Sequence, residues 1–321
     1  MLRIPFPTSP AAVLAAVLLA GPALAAGGGS TIPEQSAPQP SGPTPYGYSL
    51  GPASPAWQLE CSGESQTHIG SLAITNVHEV DEVRCIRKFS GDLTIAITDW
   101  NPSTAIQMGY PNPFYQPALP WVEAVVGELE IEGNTVDEVH LSRLVHVSER
   151  VDIDLRADLE GVNTPSATSL PDLKVTLRSN NSDLQGLDSV SSLGVLSIVR
   201  PGGINAPNLN GLNGVTSLDG YTWTGTDVVE QAFLESLTQV DGDVKVQNGA
   251  PAPYGLSKVT LIDGTLTINN TAFTNLSGLS NLTTVTGDVV ITNNAALPAS
   301  AAESFANGLV VGGSVTISDN Q

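Results

Sequence analysis

The chain has 321 residues with 32 acidic against 12 basic side chains, a formal net charge of −20. A surplus of that sign argues against a nucleic-acid binder, which needs clustered Lys and Arg to meet phosphate. Hydrophobic residues at 41% can fill a core, but 5% aromatics beside 31 Gly and 23 Pro describe a turn-rich, β-leaning, repetitive chain rather than a compact enzyme.

Residues 1–26 open with Arg3, run apolar from Ala11 to Leu19 and reach Ala23-Leu24-Ala25. A basic start, a short apolar stretch and a small-x-small site spell a secretory signal peptide, cut after Ala25 or Ala26. The run is shorter than the roughly 20 residues of a membrane span, so no span is expected after cleavage. Residues 27–56 form a linker: Gly27 to Pro55 holds seven Pro, six Gly and five Ser, with almost nothing to bury.

Residues 57–321 repeat themselves. Val125-Gly127-Leu129-Ile131-Asn134, Val285-Gly287-Val289-Ile291-Asn294 and Val311-Gly313-Val315-Ile317-Asn320 share one spacing, and copies at Gly242 and Gly264 differ only in the last residue. Weaker copies lie at Gly70, Gly91, Glu149, Pro171, Gly194 and Asp219, so anchors recur every 21–26 residues apart from one interval of 36. A fixed period of this size means a solenoid whose coils bury their apolar sides against one another. The in-out alternation after each glycine, rich in β-branched residues, predicts one short parallel strand per coil. Glycine before the strand permits a tight corner or a close backbone approach. Asn or Asp after the strand suits the next corner and can align into a ladder between coils. Ahead of the glycine, apolar residues fall every third position, as in Leu276, Leu279, Leu282 and Val285.

Cys61 and Cys85 are the two cysteines, 24 residues apart, about one coil. An isolated pair in an exported chain reads as a disulfide. The long interval holds an insertion, residues 100–121, with Trp100, Tyr110, Phe114, Tyr115 and Trp121 among several prolines. Such insertions leave the coil as surface loops. Aromatics on them can contact a sugar ring or a protein, or fold back over an edge of the stack. Between Glu123 and Glu160 lie eleven acids, with Glu128, Glu130 and Glu132 on the outward side of one strand and Asp152 and Asp154 one coil later. Adjacent strands are close enough for Glu128, Glu130, Asp152 and Asp154 to share a Ca²⁺ ion, whereas Arg150, Arg156, Lys174 and Arg178 can instead neutralise them.

The pattern Leu-x2-Leu-x2-Leu-x2-Val-x-Gly-x-Val-x-Ile-x-x-Asn resembles leucine-rich repeats of the receptor L-domain type. Those are irregular right-handed solenoids that form ligand-binding lobes of insulin- and EGF-receptor ectodomains, with relatives in secreted bacterial and fungal wall proteins. The resemblance implies a mainly β, leucine-rich-repeat-like (β-helix-like) solenoid, a disulfide capping the first coil, and a binding or structural surface without a catalytic centre. The expected function is non-catalytic recognition of an extracellular protein or glycan by a secreted or cell-surface protein, through the solenoid face and the aromatic loop, with end-to-end self-association as a further partner expectation. No cofactor other than Ca²⁺ enters this reading. The alternative is a carbohydrate-active β-helix lyase or hydrolase using the acidic patch. The four histidines lack helical metal-ligand spacing, and no Gly-x-Ser-x-Gly or phosphate-binding loop is present.

Overall fold

The computed structural model describes residues 66–76, 79–80, 83, 85–98, 119, 121–132, 138–156, 161–178, 184–201, 209–226 and 233–321. The expected signal peptide at 1–26 and linker at 27–56, Cys61, and the aromatics Trp100, Tyr110, Phe114 and Tyr115 lie outside these residues.

The described residues form a solenoid built on a twelve-stranded sheet in which every pairing is parallel. Along it the inward residues Leu72, Leu93, Leu129, Val151, Leu173, Leu196, Tyr221, Val244, Leu266, Val289 and Val315 stand in one register column. Each lies two residues after a repeat anchor, including all six weak copies. A second inward column runs through Ile131, Ile153, Val175, Ile198, Trp223, Val246, Ile268 and Ile291, each at most 1% exposed. Burying one such side chain contributes about 1.5–3 kcal/mol.

The coil has a second side that periodicity did not announce. In most coils another short strand lies just ahead of the corner. Gln66–His68, Ile86–Phe89, Ala124–Val125 and His146–Val147 make one parallel sheet, and Gln239–Val240, Leu261–Ile262, Thr284–Val285 and Val310–Val311 make another. Two-residue strands are too short to show alternation; the expected main-sheet strand of each coil is present, and in most coils this shorter one is added to it. Where the coil turns less sharply, Ser192–Arg200 and Ser217–Gly225 run through the corner as nine-residue strands.

The third side explains the apolar residues at every third position. Leu144 N–H donates to Leu141 C=O, Val190 to Leu187, Val215 to Leu212, Val259 to Leu256 and Leu282 to Leu279, all i to i+3. This is the three-residue turn of a 3₁₀ helix, which places the first and last residue of each step on one side, here the core. The last such segment differs: Ala299–Asn307 is an α-helix burying Ala302 and Ala306. Its run of Ala, Glu, Ser and Phe without Gly or Pro favours a helix, and the Val289-to-Val315 interval is the longest apart from the insertion, leaving room for one. Among the described residues, no helix is long and apolar enough to cross a membrane.

Glycines mark the corner because coils meet there. A Cβ on Gly264 would stand 2.5 Å from Gly242 C, one on Gly287 2.7 Å from Gly264 O, and one on Gly313 2.8 Å from Gly287 C. Close approach, rather than backbone freedom, makes glycine necessary at these three positions.

Candidate functional site

The outward side of the main sheet splits into two halves of different chemistry. In the N-terminal half, register pairs Thr94 with Glu130, Glu130 with Asp152, and Asp152 with Lys174; beside them Glu132 pairs with Asp154, and Asp154 with Thr176. Strand alternation puts Leu129 and Ile131 inside and leaves the carboxylates on the surface. A groove there is lined by Glu130, Glu132, Asp152, Asp154, Lys174, Thr176 and Arg178.

The carboxylates are engaged by cations rather than gathered around a gap. Arg150 Nε donates to Glu128 Oε1 at 3.0 Å, and this bond holds the guanidinium more firmly protonated. Lys174 Nζ donates to Asp152 Oδ2 at 2.6 Å, and Arg178 Nε to Asp154 Oδ1 at 2.8 Å. Arg156 bridges Asp154 at 3.2 Å and Glu132 at 3.3 Å, while Glu130 accepts from Thr94 Oγ1 at 3.2 Å. The four carboxylates considered for Ca²⁺ are thus shared out among separate partners. Among the described residues, no group of three or more His, Cys, Asp or Glu is placed to hold a metal ion.

The C-terminal half of the same face is neutral apart from Lys245. Its outward columns run Thr222, Lys245, Thr267, Val290, Thr316 and Thr224, Gln247, Asn269, Thr292, Ser318. Gln247 Nε2 donates to Thr224 Oγ1 at 3.2 Å and Asn269 Nδ2 to Thr292 Oγ1 at 2.8 Å, so hydroxyls and amides join neighbouring coils.

Two features frame this face. At the corner where the strand begins, Asp92, Asp172, Asp243 and Asp288 each accept, on Oδ1, the backbone N–H at the same place in the next coil, that of Glu128, Val195, Thr265 and Ser314, at 3.0, 2.8, 2.8 and 2.7 Å. Asp288 also accepts from the Ser314 hydroxyl at 2.9 Å, and these two bonds pull its pKa below the usual aspartate value. After the strand the chain turns through left-handed residues, Asn248, Asn270, Asn293 and Asp319, with φ between 50° and 59°. Asn and Asp tolerate this conformation better than most residues. Next comes the motif's own asparagine. Asn294, fully buried, accepts from Thr271 N at 2.9 Å and Thr271 Oγ1 at 2.7 Å and donates to Ile268 O at 3.1 Å and Asn320 Oδ1 at 2.9 Å. The expected ladder exists at this end of the stack. The corner aspartates, which sequence reasoning missed, carry a signal visible in hindsight: Asp follows Gly at Gly91-Asp92, Gly242-Asp243 and Gly287-Asp288.

Of the aromatic loop residues, Trp121 is described. It is half-buried beside the second sheet, with the Arg143 guanidinium 4.3 Å and the Arg87 guanidinium 5.6 Å from its ring centre. Cys85 lies in the turn before Ile86–Phe89. A buried aromatic group that periodicity did not single out, Trp223 with Phe233 and Tyr254, fills the core where Tyr221 O–H donates to Tyr254 C=O at 2.9 Å.

The receptor L domain family model matches residues 238–305. No curated protein matches the chain, and no solved structure does. The matched segment includes three corner glycines, Gly242, Gly264 and Gly287, and the two period-three apolar turns between them, the features that carry the resemblance. Residues 238–305 are thus similar to a receptor L domain, and the same coil recurs in parallel register well beyond the matched segment.

Proposed function

We propose that this protein is a secreted or cell-surface, non-catalytic binding protein that recognises an extracellular protein or glycan through its solenoid surface and the Trp100–Trp121 loop. The observation that carries this reading is the outward face of the long parallel sheet. Most of its charged side chains are paired and its polar groups are held in register, so a ligand meets a preorganised surface. The receptor-type family matched at residues 238–305 supports it, being typical of extracellular ectodomains. The signal peptide at 1–26, the linker at 27–56 and a Cys61–Cys85 disulfide complete the proposal, placing the solenoid outside the cell on a tether with its first coil stapled. End-to-end association belongs to the same reading.

The test is a glycan array and a pull-down from extracellular extracts, repeated with Trp100→Ala, Tyr115→Ala and Trp121→Ala. Loss of a captured ligand in these variants supports the loop, and unchanged capture removes it. Polysaccharide cleavage by the wild-type chain that vanishes in Glu130→Gln would replace the binding reading with the enzymatic one.

A further inference from the structure

The second sheet carries a departure from its own rule. Two residues before the inward residue of each second-sheet strand, the central coils place Ser or Thr. Ser191 Oγ donates to Thr168 C=O at 3.2 Å, Thr216 Oγ1 to Ser191 C=O at 3.2 Å, Thr260 Oγ1 to Thr238 C=O at 3.2 Å and Thr283 Oγ1 to Thr260 C=O at 3.0 Å. These hydroxyls make a neutral spine that serves the backbone of the preceding coil. The same column, identified by Glu123 N–H donating to Arg87 C=O and Val145 N–H to Glu123 C=O, holds Arg87, Glu123 and Val145 toward the N-terminus. None of the three carries a hydroxyl, and Glu123 and Val145 have no side-chain donor for the spine's bond.

A basic cluster stands there instead. Arg87 and Arg143 flank Trp121, and the exposed Lys88 and His146 share the adjoining outward column Thr67–Lys88–Ala124–His146. Glu123 approaches Arg87 only to 3.5 Å and Arg143 only to 4.0 Å, and the two arginine side chains are 33% and 49% exposed. Glu123 therefore moderates the positive field, while both arginine side chains stay partly open to solvent. In a chain of net charge −20 this is a local concentration of the scarce sign.

We infer that this patch binds an anionic, carboxylate-bearing polysaccharide. The inference rests on the binding reading above and names its ligand chemistry. A guanidinium stacked on an indole stays flat and keeps its edge free for bidentate pairing with a carboxylate. The Trp121 edge and the adjoining hydroxyl-lined sheet provide a flat floor for sugar rings. Parallel coils about 4.8 Å apart repeat that floor at regular intervals, which suits a linear polymer with a charge on every ring. Repulsion from the rest of the acidic molecule fades beyond about 8 Å at physiological salt, so the local field decides.

The experiment uses the full chain and polygalacturonate, with its fully methyl-esterified form as the uncharged counterpart and poly-glutamate as the acidic polypeptide. Affinity electrophoresis or calorimetry should show polygalacturonate bound and the ester at least tenfold weaker. Arg87→Gln/Arg143→Gln should weaken polygalacturonate binding at least tenfold, and Glu123→Gln should tighten it several-fold, a gain that misfolding cannot produce. Absence of polygalacturonate binding, equal binding of the ester, or an unchanged double variant overturns the inference. Poly-glutamate bound as tightly with the same arginine dependence also overturns it, in favour of an acidic polypeptide. Capture of a neutral glycan or a protein that ignores Arg87 and Arg143 would sink this inference while leaving the broader binding function standing.

Discussion

At the scale of single residues, polar side chains hold the coils together as much as apolar ones. Asn294 satisfies Thr271 on one side and Ile268 and Asn320 on others from a site without solvent. Asn294→Ala strands several buried groups, each costing about 1–3 kcal/mol, and chemical denaturation should show a loss on the order of 3 kcal/mol. Asn294→Asp should lose stability as well, because a carboxylate oxygen would then face Ile268 C=O. Asp288 gives a prediction in pH. Its pKa is depressed in the folded state by the Ser314 N–H and O–H, so its stabilising effect is present above the unfolded aspartate value of about 3.9 and is lost as pH falls through the lower folded value. Thermal melts taken in steps below pH 5 should fall more steeply for the wild type than for Asp288→Asn; equal slopes would contradict the assignment. The repeat's alternation showed that Asn294 sits at a corner. It did not show which neighbours its amide would reach, because those come from coils 23 and 26 residues away.

At the scale of elements, the corner glycines and the period-three turns set how closely coils pack. Gly264→Ala would push a Cβ to 2.5 Å from Gly242 C, and because the nearest atoms are all backbone of the preceding coil no side chain can yield. Overpacking of this kind costs about 1–3 kcal/mol. Gly308→Ala, whose nearest contact would be Phe305 O at 3.3 Å, should melt within a few degrees of wild type. Equal effects at the two glycines would remove close approach as the reason for the repeat's glycine. The second sheet shows where reading elements from a pattern stops. Thr284–Val285 and Leu261–Ile262 are strands because the neighbouring coils offer backbone partners, not because two residues can display a period. The α-helix Ala299–Asn307 is a related case: it takes the place that a period-three turn holds in other coils, so the repeat pattern alone does not announce it.

At the scale of the molecule, each coil touches only its neighbours, so stability should accumulate coil by coil. Removing residues 265–287, the full interval between two corner glycines, should leave a folded parallel-strand protein with a lower melting temperature and an unchanged type of circular dichroism spectrum. Removing half that interval should abolish cooperative melting, since every inward residue after the deletion would lose its register. The sequence by itself determined the solenoid, its anchors, the inward columns and the outward position of the acidic residues, because a repeating coil writes its geometry into a repeating spacing. Only the tertiary structure decided that those acids are matched to Arg150, Lys174 and Arg178, that corner aspartates tie one coil to the next, and that Trp121 stands between two arginines. These pairings join residues from different coils, and the side-chain reach and register that bring them together exist only once the coils are stacked.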